Sequence, residues 1–531
     1  MGGKCFIGVD VGSASVRAGL YNLSGERLGF ATRPISQFHG KGDHVEQSSA
    51  EIWRHACEAI REAIATAGID AEQVMSLGFD ATCSLVAIGR DGQGVSVSET
   101  AEPARDIIMW MDHRAGTEAQ EINATDDEAL RYVGGEVSIE MELPKVLWLK
   151  KHLPAQYQQA WRLFDLADFL VWKATDVDAA SVCTLTCKWN YLAHEKRFSD
   201  KLLNAVGLSD LCEKVPSHIA QIGERIGFLS ETAARDCGLH TGVAVASGLI
   251  DAHAGGVAML GASPKAALAI ISGTSNCHMI THPQEIFVEG VWGPYWSAML
   301  PQLWLGEGGQ SAAGALVDWT LSQHGYYPDL VQQAEDARIS PYQLLNRWVL
   351  ELERQETYPT RALHVLGDHH GNRSPRADHN ARGAVFGLTL ERGKTALARL
   401  YLATLQSIAY GTRHIIDAMT QAGHVIDDIF LCGGATRNPL WLREYANATG
   451  RPVRLIQDDD PVTLGAAISG AVAAGLFDDF ASACQDLVRR GEIIKPEATH
   501  SDFHAAKYAV YLDMYDQQKM AQKTMSAFVQ N

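Results

Sequence analysis

Two short turns rich in glycine and serine each interrupt an apolar run, and their residue types are suited to holding a phosphate. The first turn lies in segment 10–22 (DVGSASVRAGLYN) and the second in segment 272–280 (SGTSNCHMI). Glycine permits a positive φ and a close approach of the backbone to a ligand, while the Ser and Thr hydroxyls add hydrogen-bond donors. One such turn alone is best explained as a tight hairpin. The matched pair, about half of the chain apart, predicts two turns that grip the phosphates of a nucleotide from both sides of a cleft.

A single carboxylate in segment 248–256 (GLIDAHAGG) is the candidate catalytic base. Asp251 lies among small residues, after the apolar run 243–246, at the predicted start of a helix. An acidic residue at such a position is also a common helix N-cap, which contributes about 1 kcal/mol to stability. The residues themselves therefore leave two interpretations of Asp251 open, a cap and a base.

Other sources of chemistry are absent from the sequence. It contains no G-x-x-x-x-G-K-S/T phosphate loop, no H-R-D catalytic loop and no metal-spaced His/Cys cluster. The nearest approach to such a cluster, 368–370 (DHH), lies among Gly, Asn, Arg and Pro residues. This composition favours a solvated loop over a set of metal ligands.

The composition predicts a globular protein of two or more domains. The chain has 531 residues, of which 46% are hydrophobic and 20% charged. Its formal net charge of −18 argues against a broad surface for DNA or RNA, although it leaves room for a small phosphate site.

The cysteine content and the lack of targeting or membrane-spanning patterns predict a cytoplasmic protein. Ten cysteines without a C-x-x-C pair are typical of a reducing compartment. The first residues lead directly into a predicted strand, without the pattern of a signal peptide. Segment 461–477 fits a buried helix better than a membrane span, which needs about 20 strongly apolar residues. We therefore expect no membrane and no nucleic-acid partner.

Apolar periodicity predicts alternating strands and helices, which indicates α/β layers. A capping box at Ser48–Glu51 should start a helix that Gly68 ends, with the strand 74–79 after it. The second half should contain strand 267–271, a helix over 395–422, strand 429–432, helix 439–448 and strand 452–456. The repeated pattern predicts two similar domains joined near 255–264.

Taken together, the motifs resemble those of the FGGY carbohydrate kinases, from about residue 5 to about residue 490. The two turns, the segment around Asp251 and the turn 433–439 (GGATRNP) all match. Further matches are 110–114 (WMDHR) with W-x-D-x-R, 145–149 (KVLWL) with K-x-x-W-L, and 371–375 (GNRSP) with G-E-R-x-P. Glu142, where a small residue or proline is usual, and Asn372, which replaces Glu, are departures in a helix and a loop.

The resemblance implies a fold, a domain division and cofactors. The fold is α/β, with two duplicated ribonuclease H-like (actin-like ATPase) domains and a cleft for nucleotide and sugar between them. We expect an N-terminal, sugar-binding domain over 1–258, a C-terminal, ATP-binding domain over 259–495 and a helical tail over 496–531. ATP and Mg²⁺ are the implied cofactors, and a homodimer is an expected assembly.

The resemblance also implies roles for particular residues. Asp251 would be the general base, and Asp10 would lie near Mg²⁺, with Asp251 as a second metal residue. The residues expected to bind ATP are Gly12, Ser13, Arg17, Gly273, Thr274, Ser275, Gln310, Gly314, Gly433, Gly434, Ala435 and Asn438. Those expected to bind the sugar are Asp80, Ala81, Thr82, Lys188, Asp251 and Glu307.

The segment 82–86 (TCSLV) is similar to that of the subgroup that phosphorylates D-ribulose. Lys188 and Glu307 resemble the lysine and the acid with which ribulose kinases contact sugar oxygens. Lys188 could equally be a solvated surface lysine, and Asp80 could cap a turn. The expected reaction is the ATP-dependent phosphorylation of D-ribulose to D-ribulose 5-phosphate.

Several alternatives stay open at this point. L-ribulose, ribitol and D-xylulose are other possible substrates of such a kinase. A chaperone or filament ATPase could use the same fold, and so could a sugar-sensing regulator without turnover. The first two would need a peptide-binding or polymer-forming region and the last a DNA-binding module. The sequence shows neither.

Overall fold

The computed structural model describes residues 3–458 and 460–528, which form two large mixed sheets with helices packed on both. The strands are β1 Cys5–Val11, β2 Ser15–Asn22, β3 Arg27–Pro34, β4 Phe38–His39, β5 Val45–Gln47, β6 Val74–Ala81, β7 Leu85–Gly89, β8 Ile107–Ile108, β9 Ala160–Asp165, β10 Ala179–Ser181, β11 His218–Ala220, β12 Arg225–Phe228, β13 Ala244–Ala246, β14 Leu249–Ile250, β15 Ala267–Ser272, β16 Asn276–His282, β17 Trp292–Trp296, β18 Trp304–Gln310, β19 His364–Leu366, β20 Ala384–Phe386, β21 Asp428–Gly433, β22 Val453–Ile456 and β23 Arg490–Ile494. The helices are α1 Ser49–Ala67, α2 Gly116–Asn123, α3 Glu142–His152, α4 Pro154–Gln159, α5 Leu166–Thr175, α6 Val182–Lys188, α7 Asp200–Ala205, α8 Leu211–Lys214, α9 Glu231–Cys237, α10 Asp251–Leu260, α11 Gly314–Gln323, α12 Tyr327–Asp336, α13 Pro341–Glu353, α14 Lys394–Gln421, α15 Pro439–Thr449, α16 Pro461–Ala473, α17 Phe480–Leu487 and α18 Ser501–Met525.

The two large sheets have the same topology. The first has the order β12-β13-β6-β1-β2-β3, with β14 also paired to β6, and the second has the order β17-β18-β16-β15-β21-β22-β23. In each sheet an antiparallel hairpin leads into a third antiparallel strand, and the first strand of the hairpin pairs in parallel with a later strand. This shared order confirms the predicted duplication. The second sheet differs by the additional edge strand β17.

The core of the first sheet follows directly from its sequence. All seven residues of β1 are buried, as expected of a strand with layers on both faces. On one face lies α1, which begins after Ser48 and ends at Gly68 with a φ of 65°. The capping box is only half formed, because the Ser48 hydroxyl accepts from the Glu51 N–H while the Glu51 carboxylate accepts from Ser36.

Two helices cross between the halves. Helix α10 follows the first sheet but packs on β15 and β21 of the second, whereas α16 follows the second sheet and packs on β1 and β6 of the first. Glycines make this close approach possible, since a Cβ on Gly8 or Gly78 would lie 1.8 Å from a carbonyl oxygen of α16. The predicted junction near 255–264 begins within α10, which runs unbroken to Leu260. The division of the chain at residue 258 stays a prediction.

The C-terminal segment forms one long helix, α18, that packs against α14, α15 and β19. Tyr508, Tyr511 and Met514 are buried in the core of the second half. The helical part of the predicted tail is therefore an integral layer of that half. Its last residues, 529–531, lie outside the described part.

Across residues 3–458 and 460–528, the model contains no helix both long and apolar enough to cross a lipid bilayer. None of the ten cysteines, all of which are described, forms a disulfide.

Candidate functional site

Three aspartates lie at the same edge of the first sheet. Asp10 and Asp80 are opposite each other on the parallel strands β1 and β6. Strand β14 pairs with the end of β6 and leads directly into Asp251, the first residue of α10. Since parallel strands end at one edge, the topology brings these three carboxylates together, at the place where α/β sheets bind ligands.

Asp10 is completely buried and depends on Arg17 for its counter-charge. The Arg17 guanidinium contacts Asp10 and also donates to Asp460 Oδ2 over 2.7 Å, so it connects the first hairpin to the start of α16. Burial raises the pKa of Asp10 to about 7, although the charge of Arg17 opposes the increase.

Asp80 is also fully buried, at the end of β6. The predicted strand end at residue 79 is two residues short, because β6 continues through Ala81. Among the described residues no donor satisfies the carboxylate oxygens of Asp80, and burial together with the charge of Asp10 raises its pKa. The alternative of a capped turn at Asp80 is therefore not seen. Next to it, Ala81 is buried and the Thr82 N–H donates to Val11 O over 2.9 Å.

Asp251 does not cap α10, because Ile250 occupies the N-cap position. Its Oδ1 accepts from the Ala252 N–H over 2.7 Å, and the side chain is partly exposed at the helix start. Burial raises the pKa of Asp251, and the charges of Lys188 and Arg17 both act in the opposite direction. The Asp251 carboxylate thus interacts electrostatically with both Lys188 and Arg17.

Lys188, at the end of α6, is not a solvated surface lysine. Its Nζ lies 4.9 Å from the ring centre of Trp292 on β17. Glu307 lies on β18, in the other half of the molecule. Its charge interacts with that of Lys188. Burial would raise the pKa of Glu307, but Lys188 and a hydrogen bond from His253 outweigh it and lower the pKa to about 2.

In each hairpin the backbone N–H of the turn glycine donates to a carbonyl oxygen further along the turn. The Gly12 N–H donates to Ser15 O over 3.0 Å, and the Gly273 N–H donates to Ser275 O over 2.9 Å. Neither glycine adopts a positive φ. Their missing side chains instead leave space, because a Cβ on Gly12 would have its nearest contact at 3.6 Å and one on Gly273 at 3.9 Å.

A cavity of about 970 Å³ begins at the second hairpin. Six predicted ATP-binding residues line it together, namely Gly273, Thr274, Gly314, Gly434, Ala435 and Asn438. Volumes of this order suit a ligand of nucleotide size. Gly314 begins α11 and donates its N–H to Gly273 O over 3.0 Å, which fixes the hairpin against this helix.

Some predicted ATP-binding residues have side chains that are already engaged. The Ser13 hydroxyl accepts from Trp110 Nε1 over 2.9 Å. The Gln310 amide accepts from Asn276 over 2.7 Å and donates to Ile408 O over 2.9 Å. The side chain of Asn438 caps α15. These residues shape the site through their backbone or through neighbouring residues.

Gly433 differs from its neighbour Gly434. Its φ is 89°, and a Cβ would lie 2.3 Å from Ser272 O, so the turn itself requires glycine there. At Gly434 the nearest atom to a Cβ is 3.8 Å away, which leaves the backbone open to the cavity. The other predicted ATP-binding residues do not line the cavity, namely Gly12, Ser13, Arg17, Ser275, Gln310 and Gly433.

One side of the cavity and one side of the predicted sugar site are formed by residues that no sequence motif indicated. Helix α13 contributes Tyr342, Asn346 and Arg347 to the cavity, with Asp318 of α11 nearby. Trp292 lies between Lys188 and Arg373, whose guanidinium carbon is 5.5 Å from the ring centre. No motif marks these residues, and only the aromatic-rich segment 292–296 (WGPYW) gave a signal that could have been followed.

Comparisons with known proteins agree with this architecture. The model of the FGGY family of carbohydrate kinases matches in both parts, the N-terminal domain over residues 5–258 and the C-terminal domain over residues 268–474. An FGGY carbohydrate kinase domain-containing protein of Danio rerio is 44% identical, over 98% of both chains. A D-ribulokinase of Saccharomyces cerevisiae is 36% identical, over 90% of this chain and 72% of its own.

Solved structures show the same fold. The crystal structure of xylulose kinase from Rhodospirillum rubrum has a TM-score of 0.81 at 23% identity, and the alignment covers 97% of this chain and 99% of that one. The duplicated α/β, actin-like fold predicted from the sequence is thereby confirmed. The duplicated sheets, the cavity at the second hairpin and the two matching family models lead to one conclusion: the chain belongs to the FGGY family of carbohydrate kinases and has the fold of a sugar kinase.

Proposed function

We propose that this carbohydrate kinase phosphorylates D-ribulose to D-ribulose 5-phosphate, with Asp251 as the general base. The observation that carries the proposal is the position of Asp251, a partly exposed carboxylate at the start of α10, at the sheet edge where Asp10 and Asp80 also lie. The D-ribulokinase relative, at 36% identity, supports the choice of sugar.

The sugar would lie between the two halves. The Lys188 ammonium and the ionised Glu307 carboxylate offer a donor and an acceptor that match hydroxyl and carbonyl oxygens of a ketose. Asp80, Ala81 and Thr82 would form the floor of this pocket. A polar pocket of this kind discriminates strongly, because a sugar that lacks a matching hydroxyl leaves buried groups without partners.

The nucleotide would occupy the cavity of about 970 Å³. The open backbone at Gly12 and Gly273 suits close contact with phosphate oxygens, with Thr274 and Ser275 as further donors. The flat surface at Gly434 and Ala435 would lie against the adenine and ribose. When bound, ATP supplies the phosphoryl group and Mg²⁺ neutralises its charge.

The acidic edge of the first sheet fits a divalent cation. Asp10 and Asp80 are buried carboxylates, and the oxygens of Asp80 have no donor among the described residues. Within that part of the chain, no three acidic, His or Cys side chains form a complete metal site by themselves. This agrees with Mg²⁺, which typically takes one or two carboxylates and completes its shell with phosphate oxygens and water. Asp10 would be its main protein ligand, with Asp251 as the second.

In this arrangement Asp251 would accept the proton of the attacking sugar hydroxyl. Burial raises the pKa of Asp251, which makes the carboxylate a stronger base. Approach of the two halves around the sugar would exclude water, which could otherwise accept the phosphoryl group. We propose a cytoplasmic location, which the unpaired cysteines support.

The test is an ADP-release assay with the purified protein, Mg-ATP and a panel of D-ribulose, L-ribulose, ribitol, D-xylulose and glycerol. We expect D-ribulose to give the highest kcat/KM, with the new phosphate on C5 by NMR of the product, and Asp251→Ala to abolish the signal. A higher kcat/KM for another member of the panel would reassign the substrate. Substrate-independent ADP release alone would favour a non-kinase ATPase of the same fold.

A further inference from the structure

The side chain of His253 is completely buried and connects three elements around the site. It belongs to α10, two residues after Asp251. Its Nδ1 lies 3.2 Å from Cys183 Sγ on α6, and its Nε2 lies 3.3 Å from Glu307 Oε2 on β18. The imidazole therefore links the helix of the proposed base to the helix that carries Lys188 and to the acid of the sugar pocket.

The direction of these hydrogen bonds follows from counting donors and acceptors. Cys183 Sγ accepts from the Ile250 N–H over 3.4 Å, so the thiol hydrogen is free to point to His253 Nδ1. A neutral imidazole that accepts at Nδ1 has its hydrogen on Nε2. His253 then donates from Nε2 to Glu307 Oε2.

The second oxygen of Glu307 is held in the same way. Cys277 Sγ donates to Glu307 Oε1 over 3.3 Å from the neighbouring strand β16. Burial raises the pKa of both Cys183 and Cys277, so both thiols keep the hydrogen that this scheme requires. Each carboxylate oxygen of Glu307 thus has one protein donor that fixes its direction.

We propose that His253, oriented by Cys183, is a positioning residue that fixes the Glu307 carboxylate for recognition of the sugar. The proposal rests on the proposed function only in giving Glu307 a contact with the sugar. The hydrogen-bond chain begins at Ile250, directly before Asp251, and ends at Glu307 in the other half of the molecule. It therefore sets the position of the sugar-binding acid relative to the base.

The kinetic test compares two pairs of variants. His253→Gln keeps an amide donor near the position of Nε2, while His253→Leu has a similar volume and no donor. Cys183→Ser keeps a hydrogen for Nδ1, while Cys183→Ala does not. We expect His253→Leu to raise the KM of the sugar roughly 10-fold or more, because a hydrogen bond to the charged Glu307 carboxylate is lost. Cys183→Ala should raise it as well, because His253 loses the partner that orients its ring. The KM of ATP should stay within about twofold, and His253→Gln and Cys183→Ser should avoid most of the increase.

A double-mutant cycle separates positioning of Glu307 from a general structural effect. If His253 acts through Glu307, His253→Leu should change the sugar KM less than about twofold in a Glu307→Gln background. Additive effects, an equal rise in the KM of ATP, or an unchanged sugar KM in His253→Leu would each overturn the proposal. The Cys183 pair gives the same comparison should His253→Leu fail to fold.

A measurement without substrate keeps this proposal separate from the proposed function. In protein labelled with ¹⁵N-histidine, His253 is identified by the resonance that His253→Gln removes. We expect a hydrogen on Nε2, with Nδ1 as the acceptor of the Cys183 thiol, and a changed resonance in Cys183→Ala. A hydrogen on Nδ1 would overturn the hydrogen-bond chain. If no sugar in the panel is phosphorylated, the proposed function fails while this spectrum still decides the positions of the hydrogens.

Discussion

The two hairpins occupy the same place in their sheets, but different residues occupy the position two before the turn glycine. In the first half, Asp10 lies opposite Arg17 on one neighbouring strand and Asp80 on the other. In the second half the equivalent residue is Ile271, which lies between two cysteines. The first hairpin thus has a buried ion pair beside its open glycine, whereas the second has only apolar and thiol side chains there.

The same contrast is found at the starts of the crossing helices. An aspartate lies at the start of each helix: Asp251 is the first residue of α10, and Asp460 is the N-cap residue before α16. Asp460 is engaged, because it caps α16 by accepting from the Thr463 N–H over 3.2 Å and accepts from Arg17 over 2.7 Å. Asp251 has only the hydrogen bond from the following N–H. Asp460 is therefore held by two partners, whereas Asp251, the proposed base, accepts one hydrogen bond.

Exchanging each of these acids for asparagine gives the largest expected effect. A general base contributes roughly 10²- to 10⁴-fold, so Asp251→Asn should lower kcat by about 10³-fold without unfolding the protein. Asp460→Asn keeps a good helix cap and should lower kcat by less than about tenfold. Steady-state kinetics with the preferred sugar, beside thermal melting of both variants, make the comparison. Similar losses of kcat in the two variants would show that Asp251 has no special role.

An intermediate effect is expected from alanine at two glycines of the second half. In Gly273→Ala the new methyl has room in the fold but would enter the space proposed for phosphate, so the KM of ATP should rise about tenfold with little change in Tm. In Gly433→Ala the positive φ and the close Ser272 O should instead destabilise the fold by about 1–3 kcal/mol. Unchanged ATP binding in Gly273→Ala would contradict the phosphate assignment.

The smallest effect concerns pH. Because burial raises the pKa of Asp251, its carboxylate loses its charge at a higher pH than an ordinary aspartate as the pH falls. An ordinary aspartate titrates near pH 4. The acidic limb of the pH profile of kcat/KM for the sugar should therefore lie above pH 4. Activity should increase with pH through this limb. An acidic limb at or below pH 4 would show that a different group limits the reaction.

The sequence predicted those parts of the molecule that depend on local order. The strand and helix of each repeat, the end of α1 at Gly68 and the position of Asp251 after a strand follow from periodicity and turn residues. The topology then brings Asp10, Asp80 and Asp251 to one edge.

Other features depend on contacts between distant segments, which no local pattern encodes. The crossing of α10 and α16 requires glycines on the strands β1 and β6. These strands and the two helices lie far apart in the chain. Trp292 touches Lys188 only because the two halves meet. At Gly12 and Gly273 the φ angles are not positive, so of the two uses of glycine that the sequence left open, the structure shows only the open space beside the backbone.

The crossing helices also have a consequence for biosynthesis. The floor of the first sheet at Gly8 and Gly78 is covered by α16, whose residues are made about 200 positions after the end of α10. At a synthesis rate of 5–20 residues per second, this surface waits roughly 10 to 40 s on the ribosome for its cover. The first half emerges from the ribosome with an open apolar groove, so the nascent chain at this stage is a natural client for chaperones that bind exposed apolar surface.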